Sequence, residues 1–253
     1  MSDGSVTTAD VVRWLHQEGL SRLAAVGANR PEPVAAYTID VSSGMVTVHP
    51  AATGGKGSDT SSIAADDLPH PGGSTGRLVI VGITTAESIL VVNLAASLMI
   101  SIDGDFPEGA ARAWVSQLLL NPDVTLTTNC TDVAVEATPR CKQAFIPGGG
   151  GSIISVDDGT PPVTTITLNA AADGPDRLDI AVDGMGEMYL GTKFWQVRHV
   201  MKISDGAWSA LTGTLAGESA APTADIGPGA GATAPATDRP PLISSRPTVE
   251  NIR

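Results

Sequence analysis

The sequence predicts an α+β fold in which an antiparallel or mixed sheet carries one covering helix and is followed by a β-meander and a short C-terminal helix. Three patterns predict this class. Closely spaced apolar runs at residues 77–83, 89–94 and 98–102 are typical of buried strands. A helical pattern follows at 107–119, and four runs between 163 and 200 alternate apolar with polar residues.

Residues 1–50 are expected to form a helical and hairpin segment. Thr7 or Thr8 can cap a first helix, whose apolar residues recur at helical spacing, and Gly19 is expected to stop it before a second apolar run. Two short alternating runs then predict a hairpin: 34–41 and 45–49, separated by Ser42-Ser43-Gly44.

Two stretches of small and polar residues have the composition of linkers. Residues 51–76 are rich in Gly, Ser, Thr, Asp and Pro without periodicity, which predicts a flexible linker. The run Pro147-Gly148-Gly149-Gly150-Gly151-Ser152 fits either a linker or a long hairpin loop.

Residues 77–216 are expected to form the main α+β domain. Its centre is a sheet built from residues 77–137 and covered by the helix 107–119. Asp105 is a plausible N-cap for that helix, Pro107 suits its first turn, and Asn121-Pro122 stops it. Two further strands are expected, at 124–128 and 133–137.

The C-terminal half of this domain is expected to be a meander that ends in a short helix. Its four alternating runs, 163–168, 178–182, 187–190 and 194–200, lie among Asp-Gly pairs that suit tight turns. Asp205 can cap the last helix, which carries Trp208, Leu211 and Leu215. Residues 217–253 have too few large apolar side chains to fold alone and are expected to be a disordered tail.

Charge and hydropathy narrow the classes of partner. A formal net charge of −12 repels phosphate backbones, so the chain alone is not expected to bind nucleic acid. The longest apolar stretch, 89–102, is interrupted by Asn93 and Ser97, so no membrane insertion is expected. The N-terminal residues lack the pattern of a signal peptide, which favours the cytoplasm.

Cys130 and Cys141 are the two cysteines of the chain, and two thiols without histidines beside them cannot furnish a structural zinc site. They are either free thiols, as in a reducing compartment, or a disulfide across a hairpin, which needs an oxidising one.

Each motif that resembles a reactive site fails on its spacing. Lys56 lies in a Gly-rich run that lacks the first Gly and the Ser or Thr of a phosphate-binding loop. Residues 184–186 lack the third Gly of a dinucleotide loop. Two aspartate pairs, Asp103 with Asp105 and Asp157 with Asp158, lack the spacing of a calcium loop. We therefore expect no enzyme and no catalytic, cofactor-binding or metal-binding residues.

The order of the elements carries one resemblance to a known family. The chain resembles, over roughly residues 9–216, a segment of large actinobacterial membrane-anchored proteins that combine a LysM domain with a bacterial transcriptional activator domain. The stretches that carry it are 20–25, 30–37, 45–48, 76–82, 90–94, 100–105, 109–119, 124–126 and 208–211.

That resemblance implies a cytoplasmic, non-catalytic middle module of a regulator or of an envelope-linked assembly, beside type VII secretion functions. The chain departs from the family pattern because it shows no membrane helix, no LysM segment and no winged-helix effector region. We therefore expect a protein-interaction or regulatory module that works through protein partners. The alternatives are a structural component of a surface or phage assembly and an enzyme of unrecognised type.

Overall fold

A computed structural model describes residues 6–51, 60–146, 151–170 and 174–219. These residues form four α-helices: α1 (Thr8–Trp14), α2 (Leu20–Ala28), α3 (Pro107–Leu120) and α4 (Asp205–Ser219). They also form thirteen strands: β1 (Val34–Asp40), β2 (Met45–Pro50), β3 (Ser61–Ala64), β4 (Leu78–Thr84), β5 (Ser88–Asn93), β6 (Met99–Gly104), β7 (Thr125–Thr128), β8 (Cys141–Gln143), β9 (Ser152–Asp157), β10 (Thr164–Leu168), β11 (Arg177–Ile180), β12 (Gly186–Leu190) and β13 (Lys193–Val200).

The chain divides into two units, Met1–Ser219 and Ala220–Arg253. The first is compact and holds all of the elements above. The second unit lies outside the described residues, as do Lys56 and residues 147–150. Of the tail predicted to be disordered, 217–253, residues 217–219 belong to α4, so the prediction was wrong for these three, and the rest is outside the described residues.

All the strands join one sheet, in the order β3-β2-β1-β5-β4-β13-β12-β11-β6-β10-β9-β7-β8. Neighbouring strands are antiparallel except in three pairs of the described part, β6 with β10, β6 with β11, and β7 with β8. The mixed sheet, the helix α3 on it, the meander β11-β12-β13 and the short α4 confirm the predicted α+β class.

The pairing of distant strands differs from the sequence prediction. Strand β6 does not extend the β4-β5 pair but lies between β10 and β11, because long-range pairing is decided by packing that no local pattern records. Part of the stretch predicted as a linker, Ser61–Ala64, is β3 and pairs with β2. Strand β1 pairs with β5, so the N-terminal segment and the main domain share one sheet.

Four local predictions were wrong. Asp205 does not cap α4, because it is the first residue of the helix and Ser204 precedes it as the cap, with the Ser204 hydroxyl accepting from the Ala207 N–H at 3.4 Å. Gly19 does not stop the first helix, since a π-helical turn, Leu15–Gly19, joins α1 to α2, and a Cβ at Gly19 would lie 2.9 Å from the Trp14 ring. Asp105 is not the N-cap of α3, because Phe106 takes that position with a φ of 52° and no side-chain cap. The strand expected at 133–137 does not form among these described residues. They contain the end of a 3-10 turn, Thr131–Val133, followed by irregular chain.

The prediction for the first N-cap is confirmed. Thr7 caps α1 through a capping box with Asp10, in which each side chain bonds the other residue's backbone N–H.

Two hydrophobic cores lie on opposite faces of the strands β1, β4 and β5. In the first, Trp114 of α3 is fully buried and packs with apolar residues from both halves of the sheet. The second core lies between the same strands and the helices α1 and α2. Successive side chains of β4 point to opposite faces of the sheet. Val79 and Val81 therefore face the first core, whereas Leu78 and Ile80 face the second.

The sheet curls back on itself at two places. His49 of β2 packs edge-on against Trp195 of β13, with ring centroids 5.1 Å apart, although three strands separate β2 from β13. Burial, with a smaller contribution from the Lys193 charge, lowers the pKa of His49 to about 4, so the imidazole is neutral at pH 7.

The second closure is made by Arg77, which precedes β4 and is 1% exposed. Its guanidinium donates to Asp158 at 2.6 Å, to the Pro162 carbonyl at 2.5 Å and to the Thr164 hydroxyl at 3.1 Å, and it also bonds the Thr160 carbonyl. These partners belong to the β9-β10 loop and the start of β10, and four strands separate β4 from β10 in the sheet. We name this set of bonds the Arg77 latch.

Arg77→Met should lower the free energy of unfolding by roughly 3–5 kcal/mol, because it leaves Asp158 and two carbonyls without their buried partner. Urea unfolding followed by circular dichroism measures this loss. Arg13→Met is the matched control, since Arg13 pairs with Asp10 at the surface and should change the free energy by less than about 1 kcal/mol. Equal stability of the two variants would show that the latch does not hold the sheet closed.

Candidate functional site

A row of polar side chains crosses four neighbouring strands of the sheet. Asp103 of β6 lies opposite Asp179 of β11, Asp179 opposite Glu187 of β12, and Glu187 opposite Gln196 of β13. Adjacent strands lie about 4.8 Å apart, so the three carboxylates come from successive strands. They point away from α3, because residues adjacent to them in the chain face the first core: Ile102, Leu178, Ile180, Met188 and Val197.

The three carboxylates line a cavity of about 550 Å³ together with a fourth, Asp183, from the β11-β12 turn. Ile180 and Met185 add apolar surface to the same cavity. A second cavity of about 740 Å³ shares Asp103 and Asp179 and is also lined by Asn169 and Arg177. We call the surface formed by Asp103, Asp179, Asp183 and Glu187 the acidic groove.

Two glycines allow the strand ends to form this groove. Gly104 has a φ of 103°, and a Cβ there would lie 2.1 Å from the Ile180 carbonyl oxygen, so only glycine permits the close approach of β6 to β11. Gly184 has a φ of 83° in the β11-β12 turn, where the Asp183 carboxylate accepts from the Met185 N–H at 3.0 Å.

The carboxylates of the groove differ in their partners. Asp179 accepts from Arg177 Nε at 2.9 Å, and Glu187 accepts from the Tyr189 hydroxyl at 2.6 Å. The hydrogen bond to Glu187 is the main cause of a raised pKa at Tyr189, which therefore stays protonated as a donor. One oxygen of Asp103 is buried and has no hydrogen-bond partner among the described residues.

This arrangement suits the binding of organic cations. Guanidinium and ammonium groups donate to separate carboxylates, and their aliphatic stems can pack on Met185. A metal site is not indicated, because the described residues contain no group of three or more His, Cys, Asp or Glu side chains that could hold an ion. The residues that line the two cavities include no His, Cys, Ser or Lys, so Asp and Glu are the side chains there that could act as nucleophile or general base.

The aspartate pairs considered from the sequence are separated by the fold. Asp103 lines the groove, whereas Asp105 lies outside it, with its backbone N–H donating to Ile180 at 2.9 Å. Asp157 accepts from the Gly159 N–H within a turn, and Asp158 belongs to the Arg77 latch.

Sequence reasoning missed Asp179 and Glu187. Their one local signal is the alternation of β11 and β12, which places polar residues on the face away from the core. Their closeness to Asp103 depends on the parallel pairing of β6 with β11, which has no local signal.

Comparisons with known proteins give no relative: no protein-family description, no curated protein and no solved structure matches the chain. The resemblance to the actinobacterial proteins therefore stays a hypothesis. Among the described residues, every helix is too short or too polar to cross a membrane.

Proposed function

We propose that this chain is a non-catalytic protein-interaction or regulatory module, and that its acidic groove binds a basic segment of a partner protein. The observation that supports this most directly is the gathering of four carboxylates around one cavity lined by no Lys or Arg. Arg177, which lines the neighbouring cavity, bonds Asp179.

The energetic cost of the groove also supports a binding role. Like charges directly opposite each other on neighbouring strands destabilise a sheet, and the groove contains two such pairs, Asp103 with Asp179 and Asp179 with Glu187. A fold gains nothing from this repulsion in the free state. Arg177 already offsets part of this repulsion by pairing with Asp179, and a cationic ligand would relieve the rest on binding.

The same charges set the expected strength of binding. Each solvent-exposed ion pair contributes roughly 0.2–1 kcal/mol, so a segment that pairs with four carboxylates gains about 1–4 kcal/mol from charge. The net charge of −12 adds long-range attraction that speeds the encounter of a basic partner. We expect fast, reversible binding that weakens with salt, which suits a regulatory contact.

The resemblance found in the sequence suggests the cellular context in which this binding would occur. It supports an assembly linked to the envelope or to secretion in an actinobacterium, with the module itself in the cytoplasm. Cys130 and Cys141 are both buried and unpaired, which agrees with a reducing compartment. The acidic groove favours this function over a self-assembling structural protein, because two copies would repel each other at this face.

Neutralising the groove should weaken the binding of a cationic peptide. The variant Asp103→Asn/Glu187→Gln removes two charges and keeps the shape of both side chains. Its affinity for a fluorescein-labelled hexa-arginine peptide, measured by anisotropy at low salt, should fall about tenfold or more, because both removed charges face the same ligand. The affinity of the parent chain should itself fall steeply as salt rises.

The matched control removes the same two charges elsewhere. Asp123→Asn/Glu136→Gln changes two exposed carboxylates that lie outside the groove. This control should bind the peptide within about twofold of the parent, apart from the small loss due to net charge. If the two double variants lose affinity equally, the peptide responds to net charge alone and the groove is not the site.

The redox state of the two cysteines tests the proposed cytoplasmic location. In chain purified from its native host without reductant, both Cys130 and Cys141 should react with iodoacetamide once the protein is denatured, because a reducing cytoplasm keeps them free. Mass spectrometry of the alkylated peptides counts the free thiols. A quantitative disulfide would contradict the cytoplasmic placement and leave the groove hypothesis untouched.

A further inference from the structure

A third cavity, of about 400 Å³, lies between α1 and the β1-β2 hairpin, apart from the acidic groove. Its apolar wall comes from both elements and from the residue that follows β3. The apolar lining residues are Val6, Val11, Trp14, Ile39, Val41 and Ala65. We call this cavity the hairpin pocket.

The polar groups at the rim of the hairpin pocket are already bonded to one another. Asp10 accepts from the Thr7 backbone and hydroxyl groups and from Arg13. Ser42 and Ser43 both donate to a single oxygen of Asp40, through their backbone N–H and hydroxyl groups. An occupant therefore gains most from apolar contact inside the pocket.

The rim is nevertheless negatively charged at neutral pH. The hydrogen bonds from Ser42 and Ser43 lower the pKa of Asp40 to about 2, and those from Thr7 lower the pKa of Asp10. Asp66 and Asp67 follow Ala65 and are exposed. Arg13, the cation bonded at this rim, already pairs with Asp10.

The walls of the pocket are held in place without a ligand. The capping box fixes the first turn of α1, and the Trp14 indole N–H donates to Glu18 at 2.9 Å. Gly44, with a φ of 68°, shapes the hairpin turn beside it. A preformed pocket costs little ordering entropy when it is filled.

We infer that the hairpin pocket is a docking site for a large apolar side chain of a partner protein, carried on a segment with cations on both sides of that residue. The apolar wall selects the side chain, and the carboxylates around it select its flanking charges. This goes beyond the acidic groove and does not depend on it, since the two sites share no lining residue.

Three fluorescein-labelled peptides test the inference on the full chain: Arg-Arg-Trp-Arg-Arg, Arg-Arg-Gly-Arg-Arg and Glu-Glu-Trp-Glu-Glu, with blocked ends. The Trp peptide with arginines should bind about tenfold tighter than the Gly peptide, as burial of one large apolar side chain predicts. The acidic Trp peptide should not bind measurably. Equal affinities of the two arginine peptides would overturn the inference.

Variants of the chain then show which site gives the Trp peptide its higher affinity over the Gly peptide, here called the Trp-dependent gain. Ala65→Leu fills the pocket and should abolish the gain, while Ala144→Leu makes the same change on the exposed end of the sheet and should keep it. Val6→Ser removes part of the wall at a side chain that is 60% exposed, so it tests the pocket without risk to the core. A gain that survives both Ala65→Leu and Val6→Ser would contradict the inference.

The groove variant separates this inference from the proposed function. Asp103→Asn/Glu187→Gln leaves every lining residue of the hairpin pocket unchanged, so the Trp peptide with arginines should keep most of its affinity and the ratio of its affinity to that of the Gly peptide should not fall. Loss of that ratio in the groove variant would place the Trp side chain in the groove and overturn the docking role of the hairpin pocket.

Discussion

The architecture of this protein depends on the Arg77 latch. A guanidinium buried to 1% exposure is costly unless its charge is paired and its donors are bonded. Here one carboxylate, two carbonyls and a hydroxyl bond its two terminal nitrogens, while its buried Nε has no partner among the described residues. The latch holds the start of β4 against β10. The strands between them in the sheet are β13, β12, β11 and β6, which carry Gln196, Glu187, Asp179 and Asp103 in turn. The arc that the latch closes is therefore the arc that presents the acidic groove.

The local elements of the fold could be predicted from the sequence, because their signals are local. Thr7 caps α1, Pro107 begins α3, and Trp114 lies on the buried side of that helix, as helical spacing and capping chemistry indicate. Three strands of the predicted meander, β11 to β13, followed from alternation and from the Asp-Gly turn between β11 and β12, whereas the first predicted strand, β10, pairs with β6 and β9 instead. These local elements were enough to predict the α+β fold class.

The groove could not be predicted, because long-range pairing creates it. Strand β6 pairs in parallel with both β10 and β11, strands that lie over sixty residues later in the chain. A change of one residue in that register would turn Asp103 toward the core. Asp103 looked like a partner for Asp105 in sequence, whereas its neighbour in space is Asp179.

Two acidic surfaces flank the β4-β5 turn. Its Thr85 N–H donates to the Gln196 carbonyl at 3.0 Å on the side of the groove, and its Glu87 carbonyl accepts from the Val41 N–H at 3.3 Å on the side of the hairpin pocket. A basic segment with an apolar anchor would therefore find charge and an apolar wall on either side of one turn. This arrangement combines salt-sensitive attraction with specificity from a side chain, which regulatory contacts use together.

The central claim is that the carboxylates of the acidic groove form a ligand surface. The most direct test is a titration of the ¹⁵N-labelled full chain with unlabelled hexa-arginine, followed by two-dimensional NMR. The account predicts that the largest shifts fall on the backbone amides of Asp103, Asp179, Asp183, Glu187 and Gln196, and that added salt reverses them. Shifts spread evenly over the other exposed carboxylates, or absent from the groove, would contradict it.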